Sequence, residues 1–403
     1  MIKNKFYLIK DLLGVIILFQ INITCVLAQS KAHEYSRFTI IDPSYSSDVV
    51  FPKSDINKEV NPWIYGTSEL ECWRLQVLQQ RKNSAKLNVG YPGVFHKPYT
   101  EVSFRLELKE PLILNLIIFR AVGQGNVFVN DVLVGSFIEC DTFQTINLKK
   151  TTEINRIQFN INTSNEPPAL LIENKELSAL LNNWEWKSKD SEWESSFSYP
   201  QNFQNVPPHK LEEPIIVLKP ESDNHNLYDF GKELFGYITI QSRDKPIINV
   251  GESAKEALDV NCNNKEQSLK LVNMMSGIWK TKYPLAFRYL YVENVQIEDI
   301  TCDAIFYPAS YKGAFACSDS TLTQIWMNSA YTLRLNMHDF ILEGIKRDRL
   351  PWTGDLAMSL LVNAYTFSEP ELIRRSLVAL GRAGIKEKDI NGIIDYSLWW
   401  IIA

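Results

Sequence analysis

The chain has 403 residues, of which 45% are hydrophobic and 22% are charged, and its formal net charge is −5 at pH 7. This length exceeds what one ordinary hydrophobic core holds, so we expect two or three domains. The small negative charge, with no basic patch that contains interleaved aromatic residues, excludes a nucleic-acid-binding surface.

Residues 1–28 have the pattern of an export leader. A positively charged end with two lysines precedes a mostly apolar run from Leu12 to Leu27, and small residues favour cleavage after Ala28. An uncleaved membrane anchor is one alternative, but the clean apolar run is short for a membrane span. Lipid attachment at Cys25 is another. We therefore predict export to the periplasm or the extracellular space, with no stable membrane span after leader removal.

Cysteine usage does not indicate a disulfide scaffold or a metal site. Five cysteines remain after removal of the leader, an odd number at wide spacing, and none lies at metal-ligand spacing from a histidine. We expect most of them to be buried as small hydrophobic residues, and we predict no metal and no cofactor. The five are Cys72, Cys140, Cys262, Cys302 and Cys317.

The region from Thr39 to Pro308 is typical of β structure. Short alternating or β-branched runs recur between turn residues, which favours β-sandwich or jelly-roll modules. The tryptophan-rich stretch 184–194 and the turn at 207–208 indicate a boundary, so we predict modules at 29–205 and 206–312. The predicted strands are Val102–Leu108, Leu112–Phe119, Asn126–Asn130, Arg156–Asn162, Ile215–Leu218, Tyr237–Gln241, Ile247–Val250 and Tyr289–Ile297.

Three tryptophans, Trp184, Trp186 and Trp193, allow two interpretations. They could stack on sugar rings, because an indole offers a flat apolar face. Alternatively, the alternation of Trp184 and Trp186 places both side chains on one face of a strand, where they fill a core. We favour core packing.

The hydrophobic period changes after Gly313. Residues 318–320 form a good N-cap cluster, and the apolar residues that follow lie near helical spacing. Helical hairpins with short connections are the units of an (α/α) toroid. The predicted helices are one that runs to Met337, one over 356–367, one that starts with Pro370 in its first turn and runs to Gly384, and one over 396–402.

The stretch from Glu343 to Asp355 lies between two of these helices and is dense in charge. Its thirteen residues contain three carboxylates, two arginines, a lysine and a tryptophan. Carboxylates beside arginines, with an aromatic surface nearby, suit the recognition and acid–base cleavage of a glycoside. The alternative is a helix–loop–helix connection whose charged residues form a surface ion-pair network.

This stretch resembles the catalytic loop of the α-L-rhamnosidases of glycoside hydrolase family 78, which ends in Trp-x-Gly-Asp as residues 352–355 do. The resemblance implies a multidomain protein, in which β-sandwich or jelly-roll modules, one of them galactose-binding-like, precede an (α/α)6 barrel. Residues 313–403 supply the incomplete start of that barrel. Further stretches that are similar to the family, and in its order, are 63–66 with Glu69 and Trp73, 229–237, 251–253, 287–290 and 315–319.

The resemblance also implies roles for the three carboxylates. Asp348 stands where the family has the carboxylic acid that protonates the glycosidic oxygen, although the family usually has Glu there. Glu343 and Asp355 match the residues that hold sugar hydroxyls. Because Glu343 is longer than the usual Asp, transfer of the acid role from Asp348 to Glu343 is an alternative. The acid needs a raised pKa, which the neighbouring arginines oppose.

Other residues of the loop complete the predicted site. We assign Arg347 and Arg349 to forked hydrogen bonds that fix carboxylates and sugar hydroxyls, and Trp352 to the apolar face of the deoxysugar. The family inverts configuration, which requires a second carboxylate as base. The resemblance places this base beyond residue 403, where the chain stops inside an apolar helix, so we expect a fragment of a longer enzyme.

These features predict an inverting hydrolase of terminal α-L-rhamnosyl residues in plant or microbial glycans or glycosides, inactive in the truncated form. The first alternative is a non-catalytic carbohydrate-binding protein, which the absent base favours for this chain. The second is a structural export protein with sandwich modules, which the ordered family motifs disfavour. The predicted partner in the first two cases is a rhamnose-containing carbohydrate.

Overall fold

The computed structural model describes most of the chain after Asn61. The predicted leader at 1–28, with Cys25, lies outside the described residues, and so does Cys262. The described residues are 62–85, 96–149, 153–189, 191–199, 206–210, 215–222, 226–260, 266–293, 295–384 and 389–403.

Two antiparallel sheets form a sandwich in the first part of the chain. Their strands are β1 (Trp63–Tyr65), β2 (Glu101–Ile113), β3 (Leu116–Val122), β4 (Gln124–Val129), β5 (Val132–Phe137), β6 (Gln144–Asn147), β7 (Glu153–Asn162), β8 (Ala169–Ile172), β9 (Trp184–Ser188), β10 (Glu194–Ser195) and β11 (Phe197–Tyr199). The first sheet has the order β11-β1-β8-β3-β6, and the second has the order β10-β9-β2-β7-β4-β5.

The core of the sandwich is filled by side chains that alternate along the strands. Along the first half of β2, buried residues alternate with more exposed ones, as expected for a strand with one face on a core. Trp184 and Trp186 on β9 are each 1% exposed and pack in this core, so core packing of this pair is confirmed. Trp193 is only partly buried, with the guanidinium of Arg105 4.0 Å from its ring centroid.

A third antiparallel sheet follows the sandwich. Its strands are β12 (Ile215–Leu218), β13 (Glu221–Ser222), β14 (Leu227–Gln241), β15 (Ile247–Gly251), β16 (Leu271–Met275), β17 (Ile278–Thr281), β18 (Leu285–Glu293) and β19 (Asp299–Ile305). The long strand β14 pairs with β13, β17, β18 and β19 and so organises the sheet. The module boundaries given from the sequence remain predictions.

Seven α-helices lie within the described residues. They are α1 (Glu69–Ser84), α2 (Lys175–Ser178), α3 (Ala254–Leu258), α4 (Ser320–Asn336), α5 (Thr353–Tyr365), α6 (Pro370–Gly384) and α7 (Ile394–Ile402). The Asp319 carboxylate caps α4 by accepting from the backbone N–H of Thr321 at 2.8 Å. Helix α5 packs against α4, α6 and α7, while the complete (α/α)6 barrel remains a prediction. In the described part of the chain, no helix has the length and apolarity needed to cross a membrane.

Several parts of the β region differ from the expectation, among them the short helices α2 and α3. Helix α1 occupies 69–84, inside the region predicted as β structure. Its residues are largely polar and show almost no one-sided apolar periodicity, so the sequence gives no helical pattern there. The apolar run 112–119 is also divided between two strands. Leu112 and Ile113 pair with β7 of the second sheet, whereas Leu116 to Phe119 pair with β6 of the first. The chain crosses between sheets within one apolar run.

The described cysteines follow the expectation in part. Cys72 and Cys302 are buried, whereas Cys140 and Cys317 are partly exposed, and all four are free thiols. Burial raises the pKa of the Cys72 and Cys302 thiols well above the ordinary value. These two therefore behave as small hydrophobic core residues.

Helix α1 lies between the sandwich and the helical segment. Its Leu70 joins an apolar cluster on the first sheet, and its Leu75 packs with Leu350 and with Ala379 of α6. Between these two contacts, the fully buried Glu71 carboxylate accepts hydrogen bonds at Oε1 from the Tyr199 hydroxyl at 2.5 Å and Arg374 Nη2 at 2.6 Å. One carboxylate therefore joins α1, β11 and α6.

This ion pair yields a first prediction. The substitution Arg374→Ala should lower the free energy of unfolding by about 3–5 kcal/mol, because it leaves the Glu71 charge buried without its cation. The control Arg375→Ala removes only an i,i+4 pair with Glu371 on the same helix and should cost less than about 1 kcal/mol. Urea unfolding of the three proteins measures both values. Equal losses of unfolding free energy in the two variants would contradict the role of Arg374 as the cation of the buried Glu71.

Candidate active site

The charged loop between α4 and α5 is anchored from two sides by its apolar residues. Ile345 packs with Phe235 of β14 and with Leu335 of α4. Leu350 packs with Leu75 of α1 and with Phe340 and Leu342, which precede the loop. Because both anchors are buried, the backbone between them has little freedom, and the charged side chains project from a fixed frame.

Arg349 serves the same anchoring purpose. Its φ is +54°, and its buried guanidinium donates to the carbonyl oxygens of Ile345 at 2.6 Å and Pro284 at 3.0 Å, and to Gln267 Oε1 at 2.6 Å. Burial lowers its pKa to about 10. These donors join the loop to the third sheet, so the structure places Arg349 away from the role predicted for it with the carboxylates.

The three predicted carboxylates lie close enough to act on one another. Burial raises the pKa of Glu343 to about 7, and the charges of Asp348 and Asp355 add to the rise, while Arg347 opposes it. Asp348 is buried, and its Oδ1 accepts from Arg347 Nε at 2.9 Å. Glu343 is therefore the carboxyl that is partly protonated near neutral pH, and Asp348 is the one that carries a fixed cation.

Asp355 lies in the first turn of α5, at the far end of the loop. Burial raises its pKa, and the hydroxyl of Tyr396, which donates to Oδ2 at 3.5 Å, opposes this rise. Trp352 precedes the helix and meets the Tyr396 ring edge to face at 6.0 Å between centroids. A Cβ on Gly354 would lie 2.6 Å from that ring, so glycine permits the close approach of α7.

The start of α5 is capped from a distant part of the chain. Asn391 Oδ1 accepts from the backbone N–H of Thr353 at 3.1 Å and from its hydroxyl at 3.2 Å. Asn391 Nδ2 in turn donates to the Pro351 carbonyl at 3.3 Å. This amide takes the place of a local N-cap and fixes the helix that carries Asp355.

A cation from helix α1 also lies near the loop. Lys82 near the end of α1 is buried; burial lowers its pKa, and the nearby charge of Asp348 opposes this. Lys82 and Arg349 both line a cavity of about 790 Å³ between α1, the third sheet and the loop. Asp348 is thus paired with Arg347, and its charge also acts on Lys82.

A second cavity, of about 670 Å³, brings the third sheet, helix α4 and the loop together. Of the predicted site residues, Glu343 and Arg347 line it. Among the described residues, no group of His, Cys, Asp and Glu side chains is arranged to hold a metal ion. The wall is made by Glu233 and Arg288 of the third sheet, Tyr331 and Leu335 of α4, and Glu343 and Arg347 of the loop, with others.

Sequence reasoning missed several residues of this region. Lys82 and Asn391 carry no local signal, since their roles depend on neighbours that are far away in sequence. Tyr396 was included only in an apolar segment. Glu233 belongs to a stretch that is similar to the family, and that stretch was the one available pointer to it. Burial raises the pKa of Glu233 to about 8.

The segment that carries this site matches a known family. Residues 310–392 match the model of the bacterial alpha-L-rhamnosidase 6 hairpin glycosidase domain. This part of the chain is therefore similar to a rhamnosidase domain. The resemblance inferred from the sequence is confirmed, and the chain carries part of a glycosidase-type domain. No curated protein matches the chain.

Solved structures of rhamnosidases are also similar to the chain. The α-L-rhamnosidase from Dictyoglumus thermophilum matches 82% of this chain and 45% of its own length, at 15% identity and a TM-score of 0.36. The rhamnosidase from Klebsiella oxytoca with rhamnose bound matches 73% of this chain and 52% of its own length, at 18% identity and a TM-score of 0.37. The Streptomyces avermitilis alpha-L-rhamnosidase complexed with L-rhamnose matches 72% of this chain and 36% of its own length, at 14% identity and a TM-score of 0.35. The chain spans about half or less of each relative.

The raised pKa of Glu343 yields a second prediction. In the unfolded chain this carboxyl ionises near its ordinary pKa of 4.5, and in the folded protein near 7. The part of the stability that depends on the protonated Glu343 is therefore fully present below pH 4.5 and is lost as the pH rises through 7. Glu343→Gln removes this loss, so its stability relative to wild type should rise by about 1–2 kcal/mol between pH 4.5 and 8, after allowance for partial exposure.

Urea unfolding at the two pH values measures this difference. The exposed Glu221 on β13 offers a control, and Glu221→Gln should follow the wild-type pH dependence. A Glu343→Gln protein with the same pH dependence as wild type would contradict the raised pKa.

Proposed function

We propose that the protein hydrolyses terminal α-L-rhamnosyl residues of plant or microbial glycans or glycosides, and that Glu343 is the general acid. The observation that carries the proposal is a carboxyl with a pKa of about 7 at the wall of a large cavity. A general acid works best when its pKa is close to the working pH. The match of residues 310–392 to a rhamnosidase domain supports rhamnose as the sugar.

Glu343 and its neighbours have different roles in the proposed reaction. Glu343 gives its proton to the glycosidic oxygen as the bond from that oxygen to the anomeric carbon breaks, and the leaving group departs as an alcohol. Asp348 is paired with Arg347, and the charge of Asp348 helps Glu343 to retain the proton before reaction. We propose that Asp355 holds a sugar hydroxyl and that Trp352 covers the apolar face of the deoxysugar. The base that activates the water remains a prediction from the resemblance.

The third prediction separates Glu343 from Asp348 by leaving-group dependence. Glu343→Gln should lower kcat/KM on a rhamnosyl disaccharide by about 10²–10⁴-fold, because its leaving group needs a proton. An activated aryl rhamnoside needs none and should lose less than about tenfold. Asp348→Asn should weaken both substrates alike, since a residue that acts before bond cleavage serves every rhamnoside. Steady-state kinetics of wild type and the two variants measure these ratios.

The opposite pattern would return the acid role to Asp348, as the sequence first suggested. Unchanged turnover in both variants would remove the loop from the active site. Binding of rhamnosides by the wild-type protein with no hydrolysis would favour the carbohydrate-binding alternative.

We also propose export to the periplasm or the extracellular space. The leader pattern at 1–28 supports this, and it leads to a fourth prediction. N-terminal sequencing of the protein from the cell envelope or the medium should begin at or close to Gln29, because small residues precede that position. A retained Met1 in the exported material would overturn cleavage, and a lipid-modified Cys25 would favour the anchored alternative.

A further inference from the structure

An irregularity in β14 directs a carboxyl into the cavity of about 670 Å³. The pairing of β14 with β18 shifts register between Asp229 and Leu234. The Asp229 carboxylate holds this bulge: Oδ1 accepts from the Gly231 N–H at 2.7 Å, and both oxygens accept from Arg288 at 2.8 and 2.9 Å. Gly231 has φ +79°. Bulges re-aim side chains beside functional sites, and the residue placed at the cavity here is Glu233.

The Glu233 carboxyl is set apart from the fixed ion pairs around it. Its Oε1 is buried and has no hydrogen-bond partner among the described residues. Burial raises its pKa to about 8; Glu252 and Glu256 add to the rise, and Lys346 and Arg288 oppose it. At neutral pH the group is therefore a carboxylic acid, which offers both a donor and an acceptor to a pair of adjacent sugar hydroxyls.

The cations that line the cavity are already engaged. Each contacts a protein partner, so a ligand carboxylate would have to displace one of these contacts and would also meet the Glu233 and Glu343 carboxyls. The contacts are Arg288 with Asp229 at 2.8 Å, Lys346 with Glu256 at 2.7 Å, Arg347 with Asp348 at 2.9 Å, and the buried Lys232 ammonium 5.8 Å from the Tyr331 ring centroid.

We propose that Glu233 binds hydroxyls of the sugar unit that leaves, so that the third sheet forms a leaving-group subsite that prefers a neutral sugar to a uronate. The cavity lies within the range of about 300–1,000 Å³ that is usual for small-molecule sites. Glu343 lines the same cavity, so the proposed acid and the leaving group share one space. This inference rests on the proposed rhamnosidase function and deepens it.

The experiment compares three substrates: an aryl rhamnoside, a rhamnosyl-glucose disaccharide and a rhamnosyl-glucuronate disaccharide. Wild type should favour the glucose compound over the glucuronate by about tenfold or more in kcat/KM. Glu233→Ala should lower kcat/KM on rhamnosyl-glucose by about 10–100-fold and on the aryl rhamnoside by less than about threefold. Glu233→Gln should retain most activity, because an amide also offers a donor and an acceptor. Glu221→Ala, on the same sheet but exposed, is the matched control.

Each outcome decides the inference. Equal losses on the aryl rhamnoside and the disaccharide, or no loss on either, would overturn it while the proposed function stands. Preference of wild type for the glucuronate compound would also overturn it, and that comparison needs no variant. If wild type hydrolyses none of the three, the proposed function fails, and calorimetry with rhamnosyl-glucose then decides. Weaker binding in Glu233→Ala but not in Glu221→Ala supports the subsite, and equal binding overturns it.

Discussion

One buried carboxylate oxygen, Oε1 of Glu71, links α1 to the sandwich and to helix α6. It accepts hydrogen bonds from the hydroxyl of Tyr199 on the sandwich and from Arg374 on α6. Removing a carboxylate from water is unfavourable unless it is paired and hydrogen-bonded. The charge of Glu71 is therefore tolerated only when α1, β11 and α6 are all in place, and this requirement specifies how they meet.

The geometry of the candidate site depends on this junction. Once α1 is docked, its Leu75 supports Leu350 at one end of the charged loop, and Lys82 comes close to Asp348. The third sheet supports the same loop through Phe235 and Ile345. The loop that carries Glu343 is thus supported by two other segments of the chain, although the charges that shift the pKa of Glu343, those of Asp348, Asp355 and Arg347, all lie within thirteen residues.

Local patterns were sufficient where a structure is determined by neighbours in sequence. Asp319 and Pro370 mark the starts of α4 and α6, and the alternation of Trp184 and Trp186 predicted their core position. Helix α1 could not be recognised, since its contacts lie on several sides and leave no apolar stripe. The charged loop was found from its composition and resemblance. The structural role of Arg349 could not be found in this way, because its acceptors are backbone carbonyls and Gln267, which precedes β16.

The junction at Glu71 also has a consequence for the order in which the chain matures. Glu71 and Arg374 are separated by 303 positions in the sequence, and synthesis proceeds from the N-terminus with domains generally folding as they emerge. Helix α1 is therefore complete long before its partner helix exists, and its carboxylate stays hydrated in the meantime. A contact across so long a loop forms late. The contact between α1 and α6 therefore forms only after α6 has been made.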